Sequence, residues 1–259
     1  MARDPVMELP TKADLVVQSS DGVTFYLHLG NLELLTGGFP SAETPTSGLT
    51  VILNESSEVL KLLFRFIYPQ RYPDIQELDF DLTLRLAEAA EKYVVYAAIY
   101  ACKFRLSLSR LRNSDFIESY PNELLHFAAK HNHYSMIVQL APLLIDKPLS
   151  ELVNVLPLHV YTSWSVHREH WLDALHTARR KLMGYQCQWW YSFAILILLC
   201  MNKPSDLKAP DVVARIVPLS NYMSGGIVPC DICATFYRSW TEEVKNIVNA
   251  IPPLTLSTP

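Results

Sequence analysis

The stretch FYLHLGNLELLTGGF, residues Phe25–Phe39, decides how the first part of this chain folds. It opens within the extended segment Val23–His28, whose β-branched and aromatic residues favour a strand. Leu32–Leu35 predicts a short helical turn. Gly37-Gly38 predicts the end of that turn, because glycine adopts backbone conformations that stop helices. The stretch therefore predicts a strand, a turn of helix and a stop in close succession.

The residues on either side of this stretch predict two further strands. DLVVQS, Asp14–Ser19, is extended and β-branched, and Ser20-Asp21-Gly22 has the composition of a tight turn. Together with Val23–His28, these residues predict a β-hairpin. After the stretch, prolines and small polar residues predict a loop over 39–48, and LTVIL predicts a third strand over Leu49–Leu53.

Apolar residues at helical spacing predict three helices after the third strand. Their predicted bounds are Ser57–Tyr68, Asp81–Lys92 with Asp81 as the cap, and Val94–Leu106. Beyond residue 110 the strand patterns cease, and helices are predicted over 122–131, 134–144, 149–155, 163–182, 185–201, 210–217 and 231–251. The sequence thus predicts an α+β fold, with a small sheet and helices over 10–110 and an all-helical region over 111–259.

Four segments within residues 10–108 resemble, in the same order, the BTB/POZ family. Phe25, His28, Leu32, Thr36 and Phe39 resemble its F-x-x-H-x-x-x-L-x-x-x-S-x-x-F signature, with Thr36 in the place of serine and Leu29 where lysine is common. The strand VILNE and the helix SEVLKLLFRFIYP, with its tyrosine at position 68, resemble the next elements of the family. LAEAAEKYVVYAAIYACKFRL resembles its closing pair of helices. The helical remainder is similar to that of BTB proteins abundant in filamentous and mushroom-forming fungi.

The resemblance implies a protein–protein interaction module that oligomerises through its BTB-like domain and has no catalytic activity. An alternative is a substrate adaptor for a cullin-type ubiquitin ligase. However, Phe39-Pro-Ser-Ala-Glu43 lacks the spacing of the hydrophobic-x-Glu motif that contacts the cullin scaffold. The signature residues themselves predict structure rather than a binding site. We expect His28 to hydrogen-bond the backbone or Asp14, and Phe25, Leu32, Phe39, Phe64 and Tyr68 to belong to the core.

The composition of the chain argues against nucleic-acid binding and against a nucleotide-dependent enzyme. The chain has 259 residues, of which 50% are hydrophobic, and a net charge of −4. It therefore has enough apolar material for a core, and it lacks the clustered Lys and Arg that nucleic acid requires. The charge deficit lies wholly in residues 1–110. The eight glycines fall at turns and helix boundaries without the spacing of a phosphate loop, so we expect no cofactor and no catalytic residue.

Cys230 and Cys233 form the sharpest chemical motif, a C-x-x-C. A zinc site needs about four ligands, and no second C-x-x-C is present. Cys233 belongs to an apolar stripe of the last predicted helix, which favours a buried, structural cysteine. We therefore expect no metal site, and a small zinc-binding protein that uses Cys230 and Cys233 stays open as an alternative.

Histidines and tryptophans concentrate in the helical half. His167, His170, Asp173 and His176 recur every third residue, which spreads them around the helix, so a partly exposed helical face accounts for them better than a ligand set. The five tryptophans predict anchors of helix packing. They are Trp164, Trp171, Trp189, Trp190 and Trp240.

Two further features concern the compartment. The first fifteen residues contain no uninterrupted apolar run, so we expect no secretory signal. Five cysteines, an odd number, are typical of free thiols in an intracellular protein, cytoplasmic or nuclear. The most apolar stretch, Phe193–Met201, is far shorter than the roughly 20 residues of a spanning helix, so we expect a core helix and no membrane partner.

Overall fold

The hairpin predicted around Ser20–Gly22 is the first element of the fold. In the computed structural model, which describes residues 13–39, 50–107, 116–185, 188–208 and 231–256, β1 (Leu15–Gln18) pairs antiparallel with β2 (Thr24–Leu27). Gly22 occupies the left-handed region at φ 82°, which closes the turn without steric cost. The third predicted strand is β3 (Thr50–Ile52), which pairs in parallel with the other edge of β1, giving the order β2-β1-β3.

The chain divides into two compact units, residues 1–120 and 121–259. The first combines the sheet with five helices among its described residues. They are α1 (Leu29–Leu35), α2 (Ser57–Arg65), α3 (Phe80–Tyr93), α4 (Tyr96–Ser107) and α5 (Phe116–Ser119). The described residues of the second unit are helical, so the expected mixed α+β composition is confirmed.

The second unit holds six α-helices and one 3-10 helix among its described residues. The α-helices are α6 (Pro121–Lys130), α7 (Tyr134–Leu140), α8 (Leu149–Leu152), α9 (Leu158–Leu182), α10 (Gln188–Cys200) and α11 (Asp231–Asn249), and the 3-10 helix is Pro204–Lys208. The helix predicted over 210–217 and most of the loop predicted over 39–48 lie outside the described residues.

Aspartates cap three helices of the N-terminal unit. Asp79, rather than the predicted Asp81, caps α3, because its carboxylate accepts the N–H of Leu82 at 2.8 Å. Asp14 accepts the N–H of Leu29 at the start of α1 at 2.7 Å. Asp21 accepts the N–H and the hydroxyl of Ser57 at the start of α2, at 2.9 and 2.7 Å. These carboxylates satisfy backbone donors that a helix leaves unpaired at its first turn.

The fifth helix belongs to the N-terminal unit because its aromatic residues pack on α3 and α4. The Phe80 ring stacks on Tyr120 at 3.9 Å and meets the edge of Phe116 at 5.4 Å. The Arg105 guanidinium lies 4.0 Å from the centre of the Phe116 ring. The unit therefore continues to Tyr120, ten residues past the boundary predicted from the loss of strand patterns.

The predicted core residues of the N-terminal unit divide into two groups. Phe25, Leu32 and Phe64 are fully buried, and the rings of Phe25 and Phe64 meet edge to face at 5.2 Å. Phe39 and Tyr68 are only half-buried. Phe39 and Tyr68 instead make specific contacts at the edge of the core, where Phe39 stacks on Tyr93 at 4.9 Å and the Tyr68 ring meets the edge of His28 at 5.9 Å.

Candidate interaction surface

A row of exposed aromatic side chains runs along α4. Tyr96, Tyr100 and Phe104 are exposed by 62%, 75% and 53%. Their four-residue spacing places them on one face of the helix, over about 12 Å of its length. Ala98, Cys102 and Leu106 lie on the buried face. Helix α4 is therefore apolar on both its buried and its exposed side.

The end of α1 extends this apolar row. Thr36 forms an antiparallel bridge with Val95, which places the backbone of Leu35 beside that of Tyr96. Leu34 and Leu35 are exposed by 78% and 38%. We call the five residues Leu34, Leu35, Tyr96, Tyr100 and Phe104 the α1–α4 patch.

The two glycines after α1 allow this close approach. The N–H of Gly37 donates to the Val94 carbonyl at 3.1 Å, and the N–H of Gly38 donates to the Tyr93 carbonyl at 3.0 Å. A Cβ on Gly38 would lie 2.7 Å from backbone atoms of Tyr93, and one on Gly37 would lie 3.0 Å from the Tyr96 hydroxyl. The predicted helix stop is present, and the glycines additionally let the α1 end lie against the α3–α4 joint.

The α4 part of the patch carries almost no charge. Between Tyr96 and Ser107 the sequence has no acidic residue, and Lys103 is the one charged side chain there that is not buried. Arg105 points inward, where it reaches the Leu78 carbonyl at 3.5 Å, and burial lowers the pKa of its guanidinium. The apolar row on α4 therefore has no acidic group that would repel a negatively charged partner surface.

The signature histidine has a structural role, with a partner that the sequence did not predict. The Tyr68 hydroxyl accepts the backbone N–H of His28 and lies 3.1 Å from its Nδ1. Asp14, the predicted partner, accepts the neighbouring N–H of Leu29. His28 and Tyr68 thus join the end of β2 to the chain beyond α2.

Two further carboxylates connect separate segments of the N-terminal unit. Hydrogen bonds from Ser19 and Ser57 lower the pKa of Asp21 to about 2. Glu55 accepts from the Lys92 ammonium at 2.8 Å and from the Tyr93 hydroxyl at 2.5 Å. Burial alone raises the pKa of Glu55, but these two hydrogen bonds, together with a backbone hydrogen bond and the charge of Lys92, outweigh it and lower the pKa. Burial and the bond to Glu55 raise the pKa of Tyr93 to about 12, so this contact keeps its hydroxyl proton.

In the helical unit, tryptophans serve as packing anchors, as predicted. Trp164, Trp171, Trp190 and Trp240 are buried. The indole N–H of Trp190 donates to the Leu182 carbonyl at 2.7 Å, and that of Trp240 donates to the Ala178 carbonyl at 2.9 Å. Two helices are thereby fixed to the last turns of α9. The side chain of Trp189 lies outside the described residues.

The histidines of α9 do not all share the expected exposed face. Asp173 and His176 are exposed and His170 is half-buried, but His167 is buried. Its Nδ1–H donates to the Pro252 carbonyl at 3.0 Å, and its Nε2 accepts the indole N–H of Trp171 at 3.1 Å. A carbonyl can only accept and an indole N–H can only donate, so these contacts require the neutral ring with its proton on Nδ1. His167 is part of the packing.

Two cysteines of the described residues, Cys102 and Cys233, have the properties of core residues, and Cys200 is half-buried. Burial raises the pKa of Cys102 to about 12, which keeps its thiol protonated and unreactive. Cys233 is fully buried in the hydrophobic core of the helical unit, as its apolar stripe predicts. Cys230 lies outside the described residues. Within the described ranges, no three His, Cys, Asp or Glu side chains converge as a metal site would require. The zinc alternative stays a prediction.

Helix α10 displays a second exposed apolar row, which lies in the helical unit. Tyr191, Ile195 and Leu199 follow the same four-residue spacing and are exposed. The helix contains no charged residue. Among the described helices none is both long and apolar enough to cross a membrane.

Comparisons with models of protein families, with curated proteins and with solved structures find no match to this chain.

Proposed function

We propose that this chain is a non-catalytic protein-interaction module that self-associates through its N-terminal unit. The sequence supports the proposal through the four segments that resemble, in order, the BTB/POZ family. The geometry supports it through the α1–α4 patch, which is the observation that carries the proposal. The helical unit would then add a separate surface for other partners.

The patch favours association because exposed apolar surface is costly in water. An aromatic side chain covers about 200 Å², so the exposed parts of the three α4 rings present roughly 400 Å². The two leucines bring the patch near about 600 Å², the upper end of what a monomeric protein exposes. A patch of this size marks an interaction site more often than an ordinary surface.

The test of this proposal is the mass of the full chain in solution. We expect sedimentation velocity between about 1 and about 100 µM to show a concentration-dependent shift towards a dimer or a larger species, as a micromolar equilibrium requires. A single species at the monomer mass of 29.5 kDa across this range would contradict self-association.

A further inference from the structure

We propose that the occupant of the α1–α4 patch is the same patch of a second copy, with the two α4 helices antiparallel and crossing at Tyr100. This inference rests on the proposed self-association and assigns its surface and register. Three features of the described residues carry it: the area of the patch, its charge and the order of side chains along α4.

The area of the patch matches what a two-fold dimer needs. A specific interface buries about 800 Å² on each partner, with an apolar core and a polar rim. The roughly 600 Å² of the patch supplies the core, and the surrounding polar side chains supply the rim. The row on α10 is smaller, since it has one aromatic ring and two aliphatic side chains.

The lack of acidic residues along α4 favours contact between this helix and the same helix of a second copy. A two-fold axis brings each group near its own equivalent, so any acidic cluster at the centre would repel its copy. Residues 1–110 as a whole carry more acidic than basic residues, but the α4 row carries no acidic residue and only Lys103 beside it. The α4 row is therefore a part of this acidic segment where two copies can approach without repulsion between carboxylates.

The order of side chains along α4 fits an antiparallel pair. An axis at Tyr100 places Tyr96 opposite Phe104 of the second copy and Tyr100 opposite its own equivalent. The small residues Ala97 and Ala101 lie beside the rings and leave room for rings of the second copy to pack between them. Lys103 then lies close to Tyr96 of the second copy, where an ammonium group interacts favourably with an aromatic ring.

The first experiment places a charge at the proposed axis. In Tyr100→Glu two carboxylates face each other in the dimer, and we expect the dissociation constant from sedimentation velocity of the full chain to rise at least about thirtyfold, the loss of one hot-spot side chain. Tyr191→Glu, an equally drastic change of an exposed tyrosine on α10, should leave the constant unchanged. Both sites are exposed, so circular dichroism should show folded proteins.

The second experiment tests the register. Tyr100→Lys should also dissociate, and mixing it with Tyr100→Glu should restore dimers, because opposite charges then meet at the axis. Tyr100→Cys should form a disulfide-linked dimer under mild oxidation, whereas Tyr191→Cys should not.

The outcomes separate the two proposals. If the unmodified chain stays monomeric, self-association itself is wrong. If it dimerises and Tyr100→Glu dimerises equally well, self-association holds and the patch is the wrong surface. If Tyr100→Glu dissociates but mixing with Tyr100→Lys restores nothing, the antiparallel register is wrong.

Discussion

The two units of this chain fix their elements with partly different chemistry. In the N-terminal unit, carboxylates connect segments that are distant in sequence: Asp14 with α1, Asp21 with α2, and Glu55 with the end of α3. In the helical unit, indole N–H groups of Trp190 and Trp240 bond carbonyls in the last turns of α9. The N-terminal unit thus joins its segments mainly through ionised acceptors. The helical unit also has such a link, in which Asp146 accepts the N–H of Ser205 at 3.0 Å, and adds neutral donors attached to large apolar rings.

Element length explains the difference. Strands of three or four residues and helices of 4 to 14 residues bury little surface each and expose many backbone ends, which carboxylates satisfy. Helix α9 has 25 residues and α11 has 19, so each offers a long face that aromatic rings cover. A tryptophan both fills space and satisfies a terminal carbonyl of a helix. The units should therefore respond differently to loss of volume, added volume and acid.

Loss of volume should affect the helical unit most. Trp190→Ala removes a fully buried ring and leaves the Leu182 carbonyl without its donor, so we expect the free energy of unfolding to fall by about 3–5 kcal/mol. Urea unfolding followed by tryptophan fluorescence measures this unit alone, because every tryptophan lies beyond residue 120. Tyr191→Ala, an exposed neighbour on α10, should change the value by less than about 0.5 kcal/mol. Equal losses for the two variants would contradict the anchor role.

Added side-chain volume should destabilise the N-terminal unit where the residues after α1 lie against the end of α3. Gly38→Ala places a methyl group 2.7 Å from the Tyr93 backbone, and we expect a loss of about 1–3 kcal/mol in urea unfolding followed by circular dichroism. Gly30→Ala is the matched control, because Gly30 lies in α1 with nothing within 4 Å of an added Cβ. It should stabilise the protein by about 0.5 kcal/mol. A neutral Gly38→Ala would mean that the approach of these segments is not required for stability.

Acid should lower the free energy of unfolding of the two units in different pH ranges, and this effect should be the smallest of the three. Burial, together with the nearby charges of His170 and Lys208, lowers the pKa of His167 below its ordinary 6.5. The unfolded chain therefore takes up a proton that the folded chain does not, so the stabilisation is complete above pH 6.5 and falls as the pH decreases below it. At pH 5.5 this loss cannot exceed about 1.4 kcal/mol. In the N-terminal unit, the lowered pKa of Asp21 means that its contribution to stability is lost at more acidic pH, as the pH falls from 3.8 towards 2.

The variant His167→Asn isolates this contribution, because asparagine does not titrate in this range. Between pH 7 and 5.5, urea unfolding followed by tryptophan fluorescence should show a smaller decrease for the variant than for the unmodified chain. The same decrease in both proteins would assign the acid sensitivity to other groups.

Sequence patterns located the elements well but misjudged several ends. The hairpin, the third strand and most helices of the described residues are present where they were predicted. The short helix α5 and the 3-10 helix Pro204–Lys208 were not predicted. Helix α9 begins at Leu158 rather than near 163, because Pro157 precedes it with an extended backbone and starts the helix earlier. The cap of α3 moved from Asp81 to Asp79, since both aspartates precede a helical pattern and only the backbone decides which one caps.

The α1–α4 patch was harder to predict from the sequence, for a physical reason. Tyr96, Tyr100 and Phe104 have the spacing of a buried stripe, and so do Ala98, Cys102 and Leu106 on the same helix. Periodicity shows that a helix is apolar on two sides but not which side the core covers. The partnership of His28 with Tyr68 was equally hidden, because the two residues are forty positions apart.

The position of β1 in the sheet has a consequence for the order of folding. Its pairing with β2 joins Val17 to Phe25 through a short turn, whereas its pairing with β3 joins Val17 to Val51, 34 positions away. Closing the longer loop costs more chain entropy, so the hairpin forms first and β3 adds to it later. All three residues of β3 are exposed, so little burial holds the strand in place. We expect β3 to be the first strand to detach, with amide hydrogens that exchange sooner than those of the hairpin.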